Sequence, residues 1–451
     1  MKKILTVASV CAIALASCNK DNIGSHSDLN AGLPSKPQAV IPTDAAGLIT
    51  KTTLSADTVW KIDGVAFVKP GATLTIQAGT FITSGATKAY TDNTTGKTHN
   101  IKGVLVVPKT AKLIANGTAS APIVFTSPNA AGSRNPGDFG GLIILGSATT
   151  NQPATTKIEG LPQPIGTDVS YGGSNPADNS GSLKYVRIEF AGYNLNDNNE
   201  INGLTLGGVG SGTTLENIQV SWGKDDGFEF FGGTVNAKYL VALSNDDDDF
   251  DFDHGYTGTI QYALSLKDPN ATNSTSSGST DANGLESDNE GTAPYAATPK
   301  TRPVLKNFTF LGIKDATVAG TKLKFGNRWR RASQYDIQNS IIAGYATGAA
   351  FQDGATGTFT GNVVHAYTVA FSGASPAGNQ TNVSADAAAY LKLSGGANIF
   401  YPTASLFNPA FLRPLSTSPA YGNGTTTYSG AMHPTALPWT ATWTQFNPKN
   451  Y

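Results

Sequence analysis

The chain has 451 residues, of which 39% are hydrophobic and 14% charged, against roughly 25% charged in ordinary soluble domains. Glycine (50) and proline (24) are abundant, and disorder driven by charge excess is excluded. With 31 Lys and Arg against 32 Asp and Glu and a net charge of −1, the chain lacks the basic excess that a phosphate backbone demands, so nucleic acid is not an expected partner.

Residues 1–17 read as a secretory signal peptide: Lys2 and Lys3, an apolar run from Ile4 to Leu15, then small residues before a cysteine. The run is too short for about 30 Å of hydrocarbon. Leu15-Ala16-Ser17-Cys18 resembles a bacterial lipobox, which implies acylation of Cys18 and an anchor without a spanning helix. Cys11 would leave with the signal, so no disulfide is expected. Residues 18–43, rich in Ser, Asn, Pro and Gly, read as the lipidated cysteine and a flexible tether. Asn19-Lys20-Asp21 resembles the charged export signal of Bacteroidetes surface lipoproteins, and Asp57-Thr58-Val59 resembles the O-glycosylation sequon of such bacteria. The expected location is the outer membrane, lipid-anchored and exposed at the cell surface.

From about residue 60, β-branched and alternating runs recur between Gly, Asn and Asp clusters, and no long amphipathic helix is legible. The class is all-β. Leu215-Glu-Asn-Ile-Gln-Val220 recurs as Ala237-Lys-Tyr-Leu-Val-Ala242 and as Ile260-Gln-Tyr-Ala-Leu-Ser265. The same offset lays Asp225-Asp-Gly-Phe-Glu-Phe230 over Asp247-Asp-Asp-Phe-Asp-Phe252, with a further copy at Asn283-Gly-Leu-Glu-Ser-Asp288. A repeat of about 22 residues that cannot bury its apolar face alone stacks into a solenoid, here a single parallel β-helix over 44–451 with long loop insertions and a C-terminal capping segment. Leucine-rich repeats lack support because their signature is absent, and a propeller needs about twice the period; tandem β-sandwiches are the alternative. Phe228, Phe230, Phe250 and Phe252 are expected in the bore. Insertions are expected near 128–138, 150–182, 268–302 and 372–387.

The segments 103–127 and 199–210, the Asp-Asp-Gly-Phe-Glu-Phe-Phe-Gly-Gly-Thr run ending at Thr234, and the closing Trp439-Thr-Ala-Thr-Trp443 and Asn447-Pro448 resemble poorly characterised Bacteroidetes surface lipoproteins. That resemblance implies a right-handed β-helix of the pectate-lyase-like type and no established activity.

Between Asp225 and Asp253 stand nine carboxylates and one cation, Lys238. In the repeat register Asp225, Asp226 and Glu229 underlie Asp247, Asp248 and Asp251, with Asp253, Glu286 and Asp288 continuing the ladder. Like charges about 4.8 Å apart repel by about 0.9 kcal/mol in water and about 3.5 kcal/mol at an effective dielectric of 20. Binding Ca²⁺ through these nine acids would relieve that repulsion; so would raised carboxyl pKa values, basic neighbours or solvent. An EF-hand fails, because in Asp249-x-Asp251-x-Asp253-x-Gly255 the glycine comes one position late and no glutamate follows in place. His254 has no histidine partner nearby, so zinc is not expected. Lys322, Lys324, Arg328, Arg330 and Arg331 are the natural counter-charge, and Lys322-Leu-Lys-Phe325 reads as a strand with both lysines outward. If this coil neutralises the acids it is structural; exposed beside Ca²⁺, Lys322, Lys324, Arg328 and Arg330 suit the carboxylates of an acidic glycan.

Two functions follow. One is a lipid-tethered surface protein that binds glycans or neighbouring proteins, with Trp222, Tyr256, Trp329 and Tyr335 able to stack on sugar rings. No nucleophile elbow or phosphate loop opposes it. The other is an enzyme on acidic polysaccharide. Asp225-Asp226-Gly227-Phe228-Glu229 resembles the Asp-Asp-Gly motif of Ca²⁺-dependent β-helix polysaccharide lyases, which implies β-elimination with Lys224, Lys238 or Arg328 as base. A glycoside hydrolase using paired carboxylates is the variant of that reading.

Overall fold

The computed structural model describes residues 32–196, 199–276, 279–422 and 428–450. The signal peptide, Cys18 and Asn19-Lys20-Asp21 lie outside the described residues. Among the described residues, no helix is long and apolar enough to cross a membrane.

Twenty-five strands join one parallel sheet that winds on itself. Three faces recur in each complete coil. The first carries Thr73–Ile76, Lys112–Asn116 and the opening halves of Gly181–Glu189, Thr214–Ser221 and Ala237–Leu243. The second carries Gln38–Val40, Val59–Ile62, Phe81–Ser84, Ile123–Thr126 and the closing halves of the same long strands. The third runs Val65–Phe67, Val104–Val107, Gly141–Leu145, Leu204–Gly207, Phe228–Phe231, Phe250–Asp253, Leu285–Ser287 and Phe325–Trp329. Gln38–Val40 lies inside the stretch read from sequence as tether. It pairs with Val59–Lys61 on one side only, and such an edge strand tolerates the flanking Pro37 and Pro42.

The bend between the first and second faces is built from left-handed residues: Tyr185, Asn217, Tyr239, Tyr262 and Asn307 have φ between 50 and 61°. Asparagine enters that region readily. At the tyrosine positions packing offsets the strain, since Tyr239 and Tyr262 stack at 5.5 Å and Trp439 lies against Tyr239 at 5.3 Å.

Strand alternation sends one set of side chains into the bore. Phe228 stacks on Phe250 at 5.2 Å and Phe230 on Phe252 at 5.1 Å, all four fully buried. Trp329 and Tyr256 share that core, and Tyr335 and Trp222 are buried as well. None of these four can stack on a sugar. Their burial, not their chemistry, decides this.

After Gln380–Val383 the chain turns back and runs along the outside of the second face. Gly430 N–H donates to the Asn339 carbonyl at 2.8 Å and Trp443 meets Tyr185 at 6.0 Å. Gln445 N–H donates to Gln219 Oε1 at 2.9 Å, and Arg134 Nη1 to the Pro448 carbonyl at 2.9 Å. This segment covers Val241, Leu264, Leu311 and Ile341, which would otherwise leave an apolar outer face wet. The C-terminal segment is therefore a lateral strap.

Candidate functional site

Because Phe228 and Phe230 occupy the bore, Glu229 between them points out of the third face. The coil register carries this outward column from Thr205 through Glu229, Asp251 and Glu286 to Arg328. Asp253 pairs with Phe231 along the same face.

The corner that precedes these strands is a hydrogen-bonded ladder. Asn202 Oδ1 accepts the Asp226 N–H at 3.2 Å, Asp226 Oδ1 the Asp248 N–H at 2.8 Å, Asp248 Oδ1 the Asn283 N–H at 2.6 Å, and Asn283 Oδ1 the Phe325 N–H at 3.1 Å. Two rungs are Asn and two are Asp. The amide oxygen makes the same bond, so folding does not require charge at Asp226 or Asp248. Truncating a rung should show what the bond contributes: Asn283→Ala is expected to lower stability by about 1–3 kcal/mol, read from the denaturant midpoint, because a buried N–H loses its acceptor.

Three overlapping groups gather ligand oxygens within 4.8 Å of one another: Asp225, Asp226 and Asp247; Asp226, Glu229 and Asp251; Asp248, Asp251 and Glu286. Asp226, Glu229 and Asp248 are 7%, 6% and 4% exposed. Burial pushes the carboxyls of Asp225, Asp226, Glu229, Asp248 and Asp251 well above the usual range, and neighbouring carboxylates push them further. At Asp225 these are Asp247, Glu200, Glu159 and Asp248.

The counter-charge sits at one end. Arg328 Nη1 reaches Glu286 Oε2 at 2.7 Å and Asp281 Oδ1 at 3.0 Å, and Lys324 Nζ reaches Asp281 at 2.6 Å. Arg330 pairs with Glu286 and, at 2.7 Å, with Asp288, whose other oxygen holds Arg331 at 2.6 Å. These bonds give Lys324, Arg328 and Arg330 a neutralising role. Lys322 is elsewhere: it ends the helix Ala316–Lys322 and donates to the carbonyls of Pro269 and Ala271, both at 2.7 Å. The expected strand at 322–325 thus begins only at Phe325, since Asp315 caps a helical turn by accepting the Val318 N–H at 2.9 Å. Lys238 lies between Glu216 and Gln261 on the first face, away from the ladder. Lys224 is exposed at the corner beside Asp225.

Two acids of this site escaped the repeat reading. Glu159 comes from the insertion after the third-face strand Gly141–Leu145, and Glu200 from the hairpin of Tyr193–Asn196 and Asn199–Ile201. Neither stands in the repeat, so spacing could not place them. Burial and the charges of Glu200 and Asp253 push the Glu159 carboxyl up to about 8. The same insertion brings Tyr171, whose hydroxyl lies 2.8 Å from His254 Nδ1, while His254 Nε2 lies 3.3 Å from Asp253 Oδ2. Burial draws the imidazole down to about 4, so it is neutral at pH 7.

The family model of the pectate-lyase-like β-helix domain matches residues 47–444. The chain belongs to that family. No curated protein and no solved structure matches it. The winding described above is accordingly the right-handed parallel β-helix of this pectate-lyase-like domain. Its acidic third face offers only oxygen ligands in the three groups, a donor set for a hard cation such as Ca²⁺. The buried Oδ1 of Asp251, central to two groups, has no hydrogen-bond partner. The residues fit the ion.

Proposed function

We propose that this protein is a lipid-anchored protein of the outer surface that binds acidic polysaccharide through Ca²⁺ held on the third face. The observation that carries this is the choice of Asp at rungs 226 and 248, where Asn serves the backbone equally well at 202 and 283. Charge that folding does not need, packed among further carboxylates, points to a cation as its reason. Asp226, Asp248, Asp251, Glu229 and Glu286 would hold it. Bound there, the ion supplies positive charge at which a uronate carboxylate can complete the coordination. The signal peptide and Cys18 support the anchor and the surface location; an acidic glycan is the partner, with the membrane held through the lipid.

Binding of polygalacturonate or alginate to immobilised protein tests this: it should be saturable in Ca²⁺ and vanish in chelator. Binding that survives chelation would sink the proposal. A second reading, elimination on the same glycan, is favoured by one observation: Lys224 stands exposed beside Asp225, whereas Arg328 is held by Glu286 and Asp281 and Lys238 lies on the first face. Growth of ultraviolet absorbance on incubation with either polymer, lost in Lys224→Ala, would establish it.

A further inference from the structure

The charge of the chain is divided along its length. Residues 32–130, which build the first coils, hold nine lysines against four aspartates, with no arginine or glutamate. Each aspartate is engaged locally. Asp44 accepts the N–H groups of Ala46 and Leu48, both at 2.9 Å, and Asp57 the hydroxyls of Ser55 and Thr58. Asp63 accepts the Ala86 N–H at 2.6 Å, and Asp92 those of Thr94, Thr95 and Gln163. No ion pair among the described residues includes any of the nine lysines.

Four of these lysines gather where the third face passes to the first. Thr53–Leu54 pairs with Thr73–Ile76, and that strand with Lys112–Asn116, so Lys51, two residues ahead of Thr53, stands in the column of Thr73 and Lys112. Tight turns form the corner. The Ala72 N–H donates to the Lys69 carbonyl at 2.9 Å, with Pro70 and the left-handed Gly71, φ 78°, at the tip. One coil on, the Ala111 N–H donates to the Pro108 carbonyl at 3.0 Å, with Lys109 and the left-handed Thr110, φ 73°, at the tip. Lys51, Lys69 and Lys112 are exposed, and Lys109 is half-buried with Nζ on the Ala154 carbonyl at 3.1 Å. Lys51 and Lys69 line a cavity of about 230 Å³ together with Asp44, Thr50, Thr52 and Thr73. An edge of like charge that no acid of the chain pairs is complementary to an anionic surface outside it.

This edge lies at the end from which the chain leads back to Cys18. Gln38–Val40 opens the β-helix, and Lys51 and Lys69 belong to the coils next to it. About twenty residues separate Cys18 from Gln38, and a Gly/Ser-rich chain of that length spans about 25 Å. A lipid at Cys18 would hold this end within one such span of the bilayer. We infer that the corner of Lys51, Lys69, Lys109 and Lys112 is a docking surface for anionic phospholipid headgroups. It sets the basic end of the β-helix on the membrane, with the coil of Glu229 four coils, or about 19 Å, further along the axis. Its place at a membrane rests on the Cys18 anchor; the charge contact does not.

The test is vesicle cosedimentation of the mature chain from residue 18, made as Cys18→Ser so that it carries no lipid. Excess EDTA keeps Ca²⁺ from bridging the ladder to phosphate. Phosphatidylcholine vesicles that contain phosphatidylglycerol should bind the protein, and pure phosphatidylcholine should not. A lysine near an anionic surface contributes about fivefold, so Lys51→Gln/Lys69→Gln/Lys112→Gln should weaken binding at least tenfold. Lys306→Gln/Lys314→Gln/Lys392→Gln removes the same charge elsewhere and should weaken it less than twofold. Binding should also fall as added salt shortens the Debye length from about 10 to about 3 Å. The inference is overturned if phosphatidylglycerol makes no difference, if the two triple variants bind alike, or if these lysines hold polygalacturonate in EDTA and not the vesicles. Labelled palmitate, taken up in cells by the wild type and not by Cys18→Ser, reads the anchor separately. Without that label the membrane ceases to be the place of contact, whatever the vesicles show.

Discussion

Lys267→Met is expected to destabilise the β-helix by about 3–5 kcal/mol, the usual cost of removing one partner from a buried ion pair. The Lys267 ammonium and the Asp249 carboxylate are both fully buried, with Nζ 3.6 Å from Asp249 Oδ1. Nζ also donates to the carbonyl of Asn245 at 3.2 Å and to that of Asp247. Asp249 in turn accepts from Ser265 Oγ at 2.6 Å and Asn245 Nδ2 at 3.0 Å. In the coil register the equivalents of Asp249 are Gly203, Gly227, Gly284 and Gly326. A side chain at these glycines would collide: a Cβ on Gly227 would lie 2.6 Å from Asn245 Nδ2 and one on Gly326 2.4 Å from Ile342. Asp249 is the member of this column that enters the bore; burial raises its carboxyl pKa there, and the Lys267 ammonium opposes that rise. Adding Asp249→Asn to Lys267→Met removes the stranded charge and should recover about half the loss, by chemical denaturation. If Lys267→Met alone were neutral, the pair would have no role in holding these coils.

The pH response of the chelated protein should run against the common pattern. Six ladder carboxyls, Asp253 among them, hold their protons well above the usual range, and Glu159 does so to about 8. A carboxyl raised on folding binds more protons in the native state, so its stability is present below about pH 4 and is lost as pH rises through the folded value. Each tenfold gain in proton affinity is worth about 1.4 kcal/mol. His254 and His365, both lowered by burial, work in the opposite sense, but only up to about pH 6.5, where unfolded histidine has lost its proton. Asp57, Asp92 and Asp168, lowered by hydrogen bonds, act below about pH 4. Between about pH 6.5 and 8 the ladder and Glu159 therefore dominate. In EDTA the melting temperature should fall across that window, and in millimolar Ca²⁺ the fall should largely disappear. A melting temperature that rises with pH in EDTA would mean that the acids are ionised without cost.

How much of this was legible in the sequence depended on the repeat. Phe228 and Phe250 share an offset with Glu229 and Asp251, so bore and ladder could be read together, and the observed register pairs them. What stands outside the repeat could not be read. Glu159, Tyr171 and Glu200 reach the third face from insertions whose paths no period describes. The strap was visible as a closing segment, but its course along the second face depends on contacts such as Gln445 with Gln219, for which a single sequence carries no signal. Alternation also misled at Lys322, where two lysines spaced as in a strand proved to straddle the end of a helix. The aromatic residue Trp329 looked available for sugars because residue type does not disclose which side of a strand faces the bore.

Calcium titration by calorimetry, on chelator-stripped wild type and on Asp226→Asn/Asp248→Asn, bears most directly on the ladder as a cation site. The amides preserve the corner hydrogen bonds and remove two charges, so the double variant should fold and, in EDTA, melt higher than the wild type. The account predicts saturable binding of at least one Ca²⁺ by the wild type, weakened at least tenfold in the double variant. Equal binding by both, or none by the wild type, would contradict it.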